Sequence, residues 1–318
     1  MSAPDLVVVV VSHGTRDRTL ACVASVLADD AVATRVVVVD NASADGTAAA
    51  LRERFGAAVD VLESTRNLGF GAACNLGAAR VADARHALFL NADTRLSPGA
   101  LAALLGALDA GAGAAGPAVV GEDGASQSSV RGHPTPAALL HQHTALRFLR
   151  VAAAAYERYK RPATPPDGVP VVPVVMGAAI AVRGDVLRAV GGFDERYFLY
   201  FEDADLCRRV ALAGHPVRFV PEAVVTHAGG ASSDPRRGPA LIWYLRSLFL
   251  YVDRFHGRAR GLAYRLVFKP LFVLRMLTDI LRDALTWLAR PGKRAEKGPE
   301  LRLGGWFFTR GLWPFALA

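Results

Sequence analysis

The stretch Val36-Val37-Val38-Val39-Asp40-Asn41-Ala42-Ser43-Ala44-Asp45-Gly46-Thr47 decides the fold class. An unbroken β-branched run reads as a strand covered on both faces, and an acidic residue stands directly at its end. The same alternation repeats outward from it. Leu6 to Val11 is a second buried run and Leu20 to Leu27 has helical spacing. Val59 to Leu62 is a short strand, Gly71 to Val81 a small-residue helix, and Ala87 to Leu90 a strand ending at Asn91-Ala92-Asp93. Strands alternating with helices give an α/β class with a mostly parallel sheet, in which ligands sit beyond the carboxyl ends of the strands.

Further along, 121–173 is rich in Gly, Pro, Ser and His, with a helix expected around Ala137 to Tyr159. Val174 to Val182 reads as a strand, Asp185 to Val190 as a short helix, and Asp203 to Ala213 as a helix stopped by Gly214. Val217 to Val220 and Ala223 to Thr226 read as two closing strands, and the chain is helical from Pro239 onward.

The whole chain has 318 residues, 52% hydrophobic and 21% charged, which excludes a disordered protein and supports a large core. Cys22, Cys74 and Cys207 are too few and too scattered for a disulfide framework or a metal knuckle, so a reducing compartment is expected. The N-terminus has no basic segment or cleavage site and reads as the first core strand, and no uncharged window is long enough to span a bilayer. The net charge of +8 is concentrated in the last part: 236–318 holds 16 Lys and Arg against 5 Asp and Glu.

Three strand ends deliver acidic groups: Asp40, Asp93 and the Glu202-Asp203-Ala204-Asp205 cluster. A carboxylate after a strand can accept nucleoside hydroxyls or an imide N–H, and one that ligates a divalent cation can hold a diphosphate. That combination suits a nucleotide diphosphate with its cation. Set beside Asn67-Leu68-Gly69-Phe70-Gly71, Gly191-Gly192-Phe193-Asp194-Glu195 and Glu202-Asp203-Ala204-Asp205-Leu206-Cys207-Arg208-Arg209, these segments resemble family 2 glycosyltransferases. They look most like the rhamnosyltransferase group, over roughly Leu6 to Ser233.

The resemblance implies a GT-A fold over 1–235, with a nucleotide-sugar half (1–120) and an acceptor half (121–235), then a basic helical extension over 236–318. It implies inversion at the anomeric carbon and a divalent cation, Mg²⁺ or Mn²⁺. Asp40 would take the nucleoside base and Asp93 the metal, with Ser12, His13, Arg66 and Asn67 closing over the nucleoside. The common Asp-x-Asp triplet is here Asn91-Ala92-Asp93, one carboxylate short, with Asn91 still able to bond through its amide oxygen. His227 would be a second metal ligand and Asp203 the base that takes the acceptor's proton. Met176 and Gly177 would line the acceptor side, and Glu202 and Asp205 would orient the base, bind acceptor hydroxyls or open a helix. Gly69 either admits backbone approach to the donor or turns the chain into a packed helix. Arg208 and Arg209 read as ion-pair partners of Asp205 in preference to a diphosphate clamp, and His133, His141 and His143 as capping, hydrogen-bonding or solvent-facing rather than metal-binding groups.

In the tail, Arg265, Lys269, Arg275, Asp279, Arg282, Thr286 and Arg290 leave a broad apolar surface, with a break expected at Pro270. Basic residues on a wide apolar helix, followed by the aromatic segment Trp306 to Phe315, suit an anionic membrane surface, and no nucleic-acid module is present. The expected function is transfer of a sugar, rhamnose from dTDP-rhamnose, to a polyprenyl-linked or glycan acceptor in cell-wall or surface-glycan synthesis, at the cytoplasmic face of the membrane. Two rivals are a sugar-nucleotide pyrophosphorylase, whose triphosphate loop Val9 to Arg18 lacks, and a catalytically silent nucleotide-binding scaffold.

Overall fold

The computed structural model describes residues 4–29, 32–161, 170–229 and 238–318. The first elements are β1 (Leu6–Ser12), α1 (Arg16–Leu27), β2 (Thr34–Asp40), α2 (Thr47–Phe55), β3 (Val59–Glu63), α3 (Phe70–Ala79), β4 (His86–Asn91) and β5 (Thr94–Leu96). There follow α4 (Ala100–Asp109), β6 (Ala114–Val120), β7 (Val130–Arg131), α5 (Pro136–His143), α6 (Ala153–Lys160), β8 (Val174–Val175), β9 (Ala179–Arg183), α7 (Gly184–Val190) and α8 (Glu202–Leu212). The chain ends with β10 (Val217–His227), α9 (Gly238–His256), α10 (Arg258–Ala289), α11 (Arg294–Trp306) and α12 (Leu312–Leu317).

Two units emerge. The first takes 1–133, 161–198 and 202–232 and is built on a sheet of order β3-β2-β1-β4-β9-β6-β10-β5. All neighbours are parallel except where β9 meets β4 and β6 and where β5 meets β10. The valines of β1 and β2 explain this arrangement: Val8, Val10, Val36 and Val38 join a core with α1 and α4, while Val9 and Val39 face α3. Gly77 of α3 has no room for a side chain, because a Cβ there would lie 2.4 Å from Val9 Cγ1.

The expected strand over 174–182 is interrupted. β8 pairs with β7, Met176 and Gly177 break the run, and β9 crosses into the main sheet. The two expected closing strands are one, β10, with a register shift between Val220 and Val224 that absorbs Pro221.

The second unit takes 134–160, 199–201 and 233–318. The helix expected around 137–159 is split into α5 and α6, because Thr144 turns its hydroxyl back onto Leu140 O and accepts Leu146 N–H. His143 Nε2 lies 2.8 Å from Tyr244 Oη, and burial pushes its pKa down to about 3, with Arg275 and Arg147 adding repulsion. His141 Nδ1 donates to Val151 O at 2.7 Å. These histidines bond within the protein, as expected.

The break at Pro270 does not occur; α10 runs through it. An internal proline removes the bond to the carbonyl one turn earlier, at a cost of about 3 kcal/mol. Here that carbonyl belongs to Leu266, a residue that is 70% exposed. Phe268 and Phe272 on either side are buried against Phe249, Phe307 and Phe315, with ring centroids 5.2–5.6 Å apart. Their burial offsets the missing bond.

Candidate active site

Register places the carboxyl ends of the parallel strands side by side. Ser12 lies opposite Asp40, and Val11 opposite Asn91. Asp40 is buried and its Oδ1 accepts the Ser43 N–H at 2.9 Å, which fixes the carboxylate at the mouth of the β2–α2 turn. Asn41 ties this turn to the 67–70 loop: its Nδ2 donates to Asn67 Oδ1 (3.0 Å) and Gly69 O (3.2 Å), and its Oδ1 accepts Leu68 N–H (2.8 Å). His13 Nδ1 donates to Asn41 O at 2.9 Å. The Arg66 carbonyl accepts the Ser64 hydroxyl at 2.6 Å, a local turn bond.

Ser12 needs correcting. Its hydroxyl is fully buried and lies 2.7 Å from Thr19 Oγ1, so it joins β1 to α1 rather than facing a nucleoside. Gly69 has a packing role. Its φ is +84° and a Cβ there would stand 2.2 Å from Phe198 O, which accepts the Phe70 N–H at 3.1 Å.

Asp93 follows β4, and β5 pairs with β10 so that Thr94 faces His227. His227 Nε2 and Asp93 Oδ1 are 3.4 Å apart, and Arg18 Nη1 is 4.0 Å from Asp93 Oδ2. Burial pulls the Asp93 carboxyl upward, but the hydrogen bond and charge of His227, together with Arg18, hold it below the ordinary carboxylate range. Two ligand atoms on one small divalent cation are separated by roughly 3–3.5 Å. A carboxylate oxygen and an imidazole nitrogen at this spacing therefore fit a cation, with Asn91 two residues before Asp93 at the end of β4. Among the described residues no group of three or more His, Cys, Asp and Glu could hold one, so a diphosphate and water would complete its shell.

Asp203 reaches the same strand ends through β9. Gly177 N–H donates to Asp203 Oδ2 at 3.0 Å, and the next residue, Ala178, accepts the Asn91 N–H at 3.0 Å. Ala204 N–H donates to Asp203 Oδ1 at 2.7 Å. A Cβ on Gly177 would lie 3.1 Å from Asp203 Cβ, so the missing side chain leaves space for the carboxylate. Met176 N–H is used by Ser129 O at 2.9 Å.

Burial raises the Asp203 carboxyl, and burial together with the Asp203 charge pushes Glu202 up to about 8. Glu202 Oε2 is buried without a hydrogen-bond partner. A carboxyl raised above its unfolded value contributes stability that is complete at acid pH and lost as pH rises through the folded value. Glu202→Gln, which stays neutral, is accordingly expected to flatten the fall in melting temperature between about pH 5 and 8; an equally steep fall in the variant refutes the assignment.

Asp205, expected on the acceptor side, is corrected. It is fully buried, its Oδ2 accepts Arg209 Nε–H at 2.6 Å, and Tyr197 Oη lies 3.4 Å from Oδ1. Its role is to fasten α8. The expected pairing of Arg209 with Asp205 is thus present. All three cysteines are buried, and burial raises their thiols, which removes them from chemistry.

Sequence reasoning missed two neighbours of this cluster. Arg18, one turn into α1, is one. The other is Gln127, whose Oε1 lies 2.9 Å from His227 Nδ1 and whose Nε2 donates to His227 O at 2.8 Å. No local pattern around residue 127 announces a bond to a residue 100 positions away.

A family model described as "Glycosyltransferase like family 2" matches residues 4–243. The chain is 31% identical over 237 residues to the N-acetylglucosaminyl-diphospho-decaprenol L-rhamnosyltransferase of Mycobacterium tuberculosis (strain ATCC 25618 / H37Rv), covering 70% of this chain and 76% of that protein. Its fold is similar to that of the mannosyltransferase PcManGT from Pyrobaculum calidifontis in complex with GDP-Man and Mn²⁺, with a TM-score of 0.55 and 20% identity over 100% of this chain and 87% of that one. It is also similar to GalNAc-T7 with UDP, GalNAc and Mn²⁺, with a TM-score of 0.57 and 16% identity over 84% of this chain. The matched part spans about half, 55%, of that GalNAc-T7 chain.

Proposed function

The chain belongs to glycosyltransferase family 2 and has the GT-A fold, and from that premise we propose that it transfers rhamnose from dTDP-rhamnose to a lipid-linked acceptor, with inversion at the anomeric carbon. The observation that carries this reading is the gathering of Asp40 and the Asp93–His227 pair at strand ends, with Asp203, in the first turn of α8, tied to the same strand ends through Gly177 and Ala178. The rhamnosyl donor and the diphospho-polyprenyl acceptor are supported by the name of the mycobacterial relative.

In this reading Asp40 accepts hydrogen bonds from the nucleoside, and the Asn41–Asn67 bonds keep its turn closed. Asp93 and His227, with help from Asn91, would hold a divalent cation, which would supply positive charge to offset the negative charge growing on the departing diphosphate. Asp203 accepts the proton of the acceptor hydroxyl as its oxygen bonds to the anomeric carbon and the bond to the diphosphate breaks. Burial raises the Asp203 carboxyl, which makes its carboxylate a better proton acceptor than an exposed one. The test is release of nucleoside diphosphate from a panel of nucleotide sugars with a polyprenyl-diphosphate acceptor, in Mn²⁺ or EDTA. Turnover with dTDP-rhamnose is expected, along with a larger melting-temperature rise from dTDP than from UDP; no release from any donor overturns the reading.

The membrane contact is assigned to α10. Leu262, Leu266, Leu274, Leu277, Leu281, Leu285 and Leu288 are 49–70% exposed and recur every three or four residues, apart from the step across Pro270. The opposite face, with Tyr264, Phe268 and Phe272, is buried within this unit. Arg258 and Arg260 on this helix and Arg290 just after it are exposed, so an anionic lipid surface complements it in both polarity and charge. No helix among the described residues is long and apolar enough to cross a membrane. Replacing Leu277, Leu281 and Leu285 together by Glu is expected to weaken binding to phosphatidylglycerol vesicles more than ~100-fold, since each buried leucine contributes about 1.5–3 kcal/mol. Unchanged co-sedimentation refutes it.

A further inference from the structure

The orientation of the Gln127 amide can be deduced from its partners. The His227 carbonyl only accepts, so the amide atom 2.8 Å from it must be nitrogen, and Oε1 then faces His227 Nδ1 at 2.9 Å. Oε1 also only accepts, so Nδ1 carries the hydrogen. The other ring nitrogen, Nε2, faces Asp93 Oδ1 3.4 Å away, where either a hydrogen on Nε2 or a divalent cation would join the two atoms.

Gln127 itself is held in place. Its N–H donates to Val119 O at 2.9 Å, its carbonyl accepts the Ser129 hydroxyl at 3.2 Å, and Ser126 bridges to Val120. The strand β6 that supplies Val119 and Val120 runs in register with β10, pairing Val120 with Thr226, the residue before His227. The imidazole is therefore carried at the end of β10, and the amide on the segment after β6 that folds back onto that neighbouring strand.

We propose that Gln127 is a positioning residue: it fixes the Nδ1–H form of His227 and aims Nε2 at a divalent cation shared with Asp93. This rests on the reading of Asp93 and His227 as the cation ligands given above. Groups that orient a ligating imidazole through its second nitrogen typically change metal affinity 10–100-fold when removed.

The test is Mn²⁺ affinity, read by electron paramagnetic resonance with Mn²⁺ alone, for the full chain and two variants. Gln127→Leu keeps the volume and loses both hydrogen bonds; it is expected to bind Mn²⁺ 10–100-fold more weakly. Gln127→Glu keeps an acceptor for Nδ1–H but sets a carboxylate oxygen against the His227 carbonyl. If the acceptor is what matters, the Glu variant retains affinity within a few-fold; if Gln127 merely braces the backbone, Glu fails as badly as Leu. Equal weakening of the two variants, native affinity in Gln127→Leu, or no Mn²⁺ binding by the native chain overturns the proposal. Sugar release by the native chain is measured alongside, so that loss of the Gln127 effect with intact turnover sinks this inference alone, whereas absent turnover from every donor sinks the functional reading.

Discussion

Asp203→Asn is expected to cut sugar transfer by about 10²–10⁴-fold while leaving the affinity for donor nucleotide within about two-fold. Asparagine fills the same space but its amide is a far poorer proton acceptor, so the acceptor hydroxyl would have to attack without help. The two backbone bonds to this side chain sharpen the interpretation. Gly177 N–H and Ala204 N–H donate to different carboxylate oxygens, and the amide can serve only one of them. The other donor loses its partner, at about 1–3 kcal/mol, so the melting temperature should fall modestly. Rates are therefore measured well below that transition, with nucleotide binding as the control for an intact donor site. Full transfer by the variant would remove Asp203 from the chemistry.

The second large effect is expected at Asp93. Asp93→Asn should abolish measurable Mn²⁺ binding and reduce transfer at least 100-fold, because Asn91-Ala92-Asp93 offers no second carboxylate to take over. EDTA should silence the native protein in the same way, and added Mn²⁺ should restore it but not rescue the variant. His227→Ala should be milder, since water can replace one nitrogen donor. The Asp93 variant also leaves His227 without its carboxylate neighbour, so a melting-temperature control is again needed. A variant with undiminished, EDTA-sensitive transfer would place the cation elsewhere.

How much of this was legible beforehand depends on how local each signal is. β1, β2 and β4 announce themselves because valine and leucine runs buried on both faces have few alternatives, and their ends gave Asp40 and Asp93. β6 did not: Ala114-Ala115-Gly116-Pro117 carries almost no strand signal, and its small residues make sense only once Val175 is seen 2.4 Å from where a Gly116 Cβ would stand. Asp205 was placed with Asp203 because they are two residues apart, but a helix turns about 100° per residue, so the pair points some 200° apart. One faces Gly177 and the other Arg209. The break expected at Pro270 does not occur because the aromatic rings that hold α10 together come from 249, 307 and 315. Gln127 was invisible for the same reason of distance.

The antiparallel strand β9 sits in the middle of the sheet, between β4 and β6, although it is made long after both. A nascent chain emerging from the ribosome therefore carries a bare edge on β4 and a wholly unpaired β6 until residue 183 has cleared the exit tunnel, and the other edge of β6 waits for β10. Fragments ending near residue 120 should aggregate rather than act as a small nucleotide-binding module. Chaperones that shield open sheet edges should matter more for producing this protein than its abundance of local βα units would suggest.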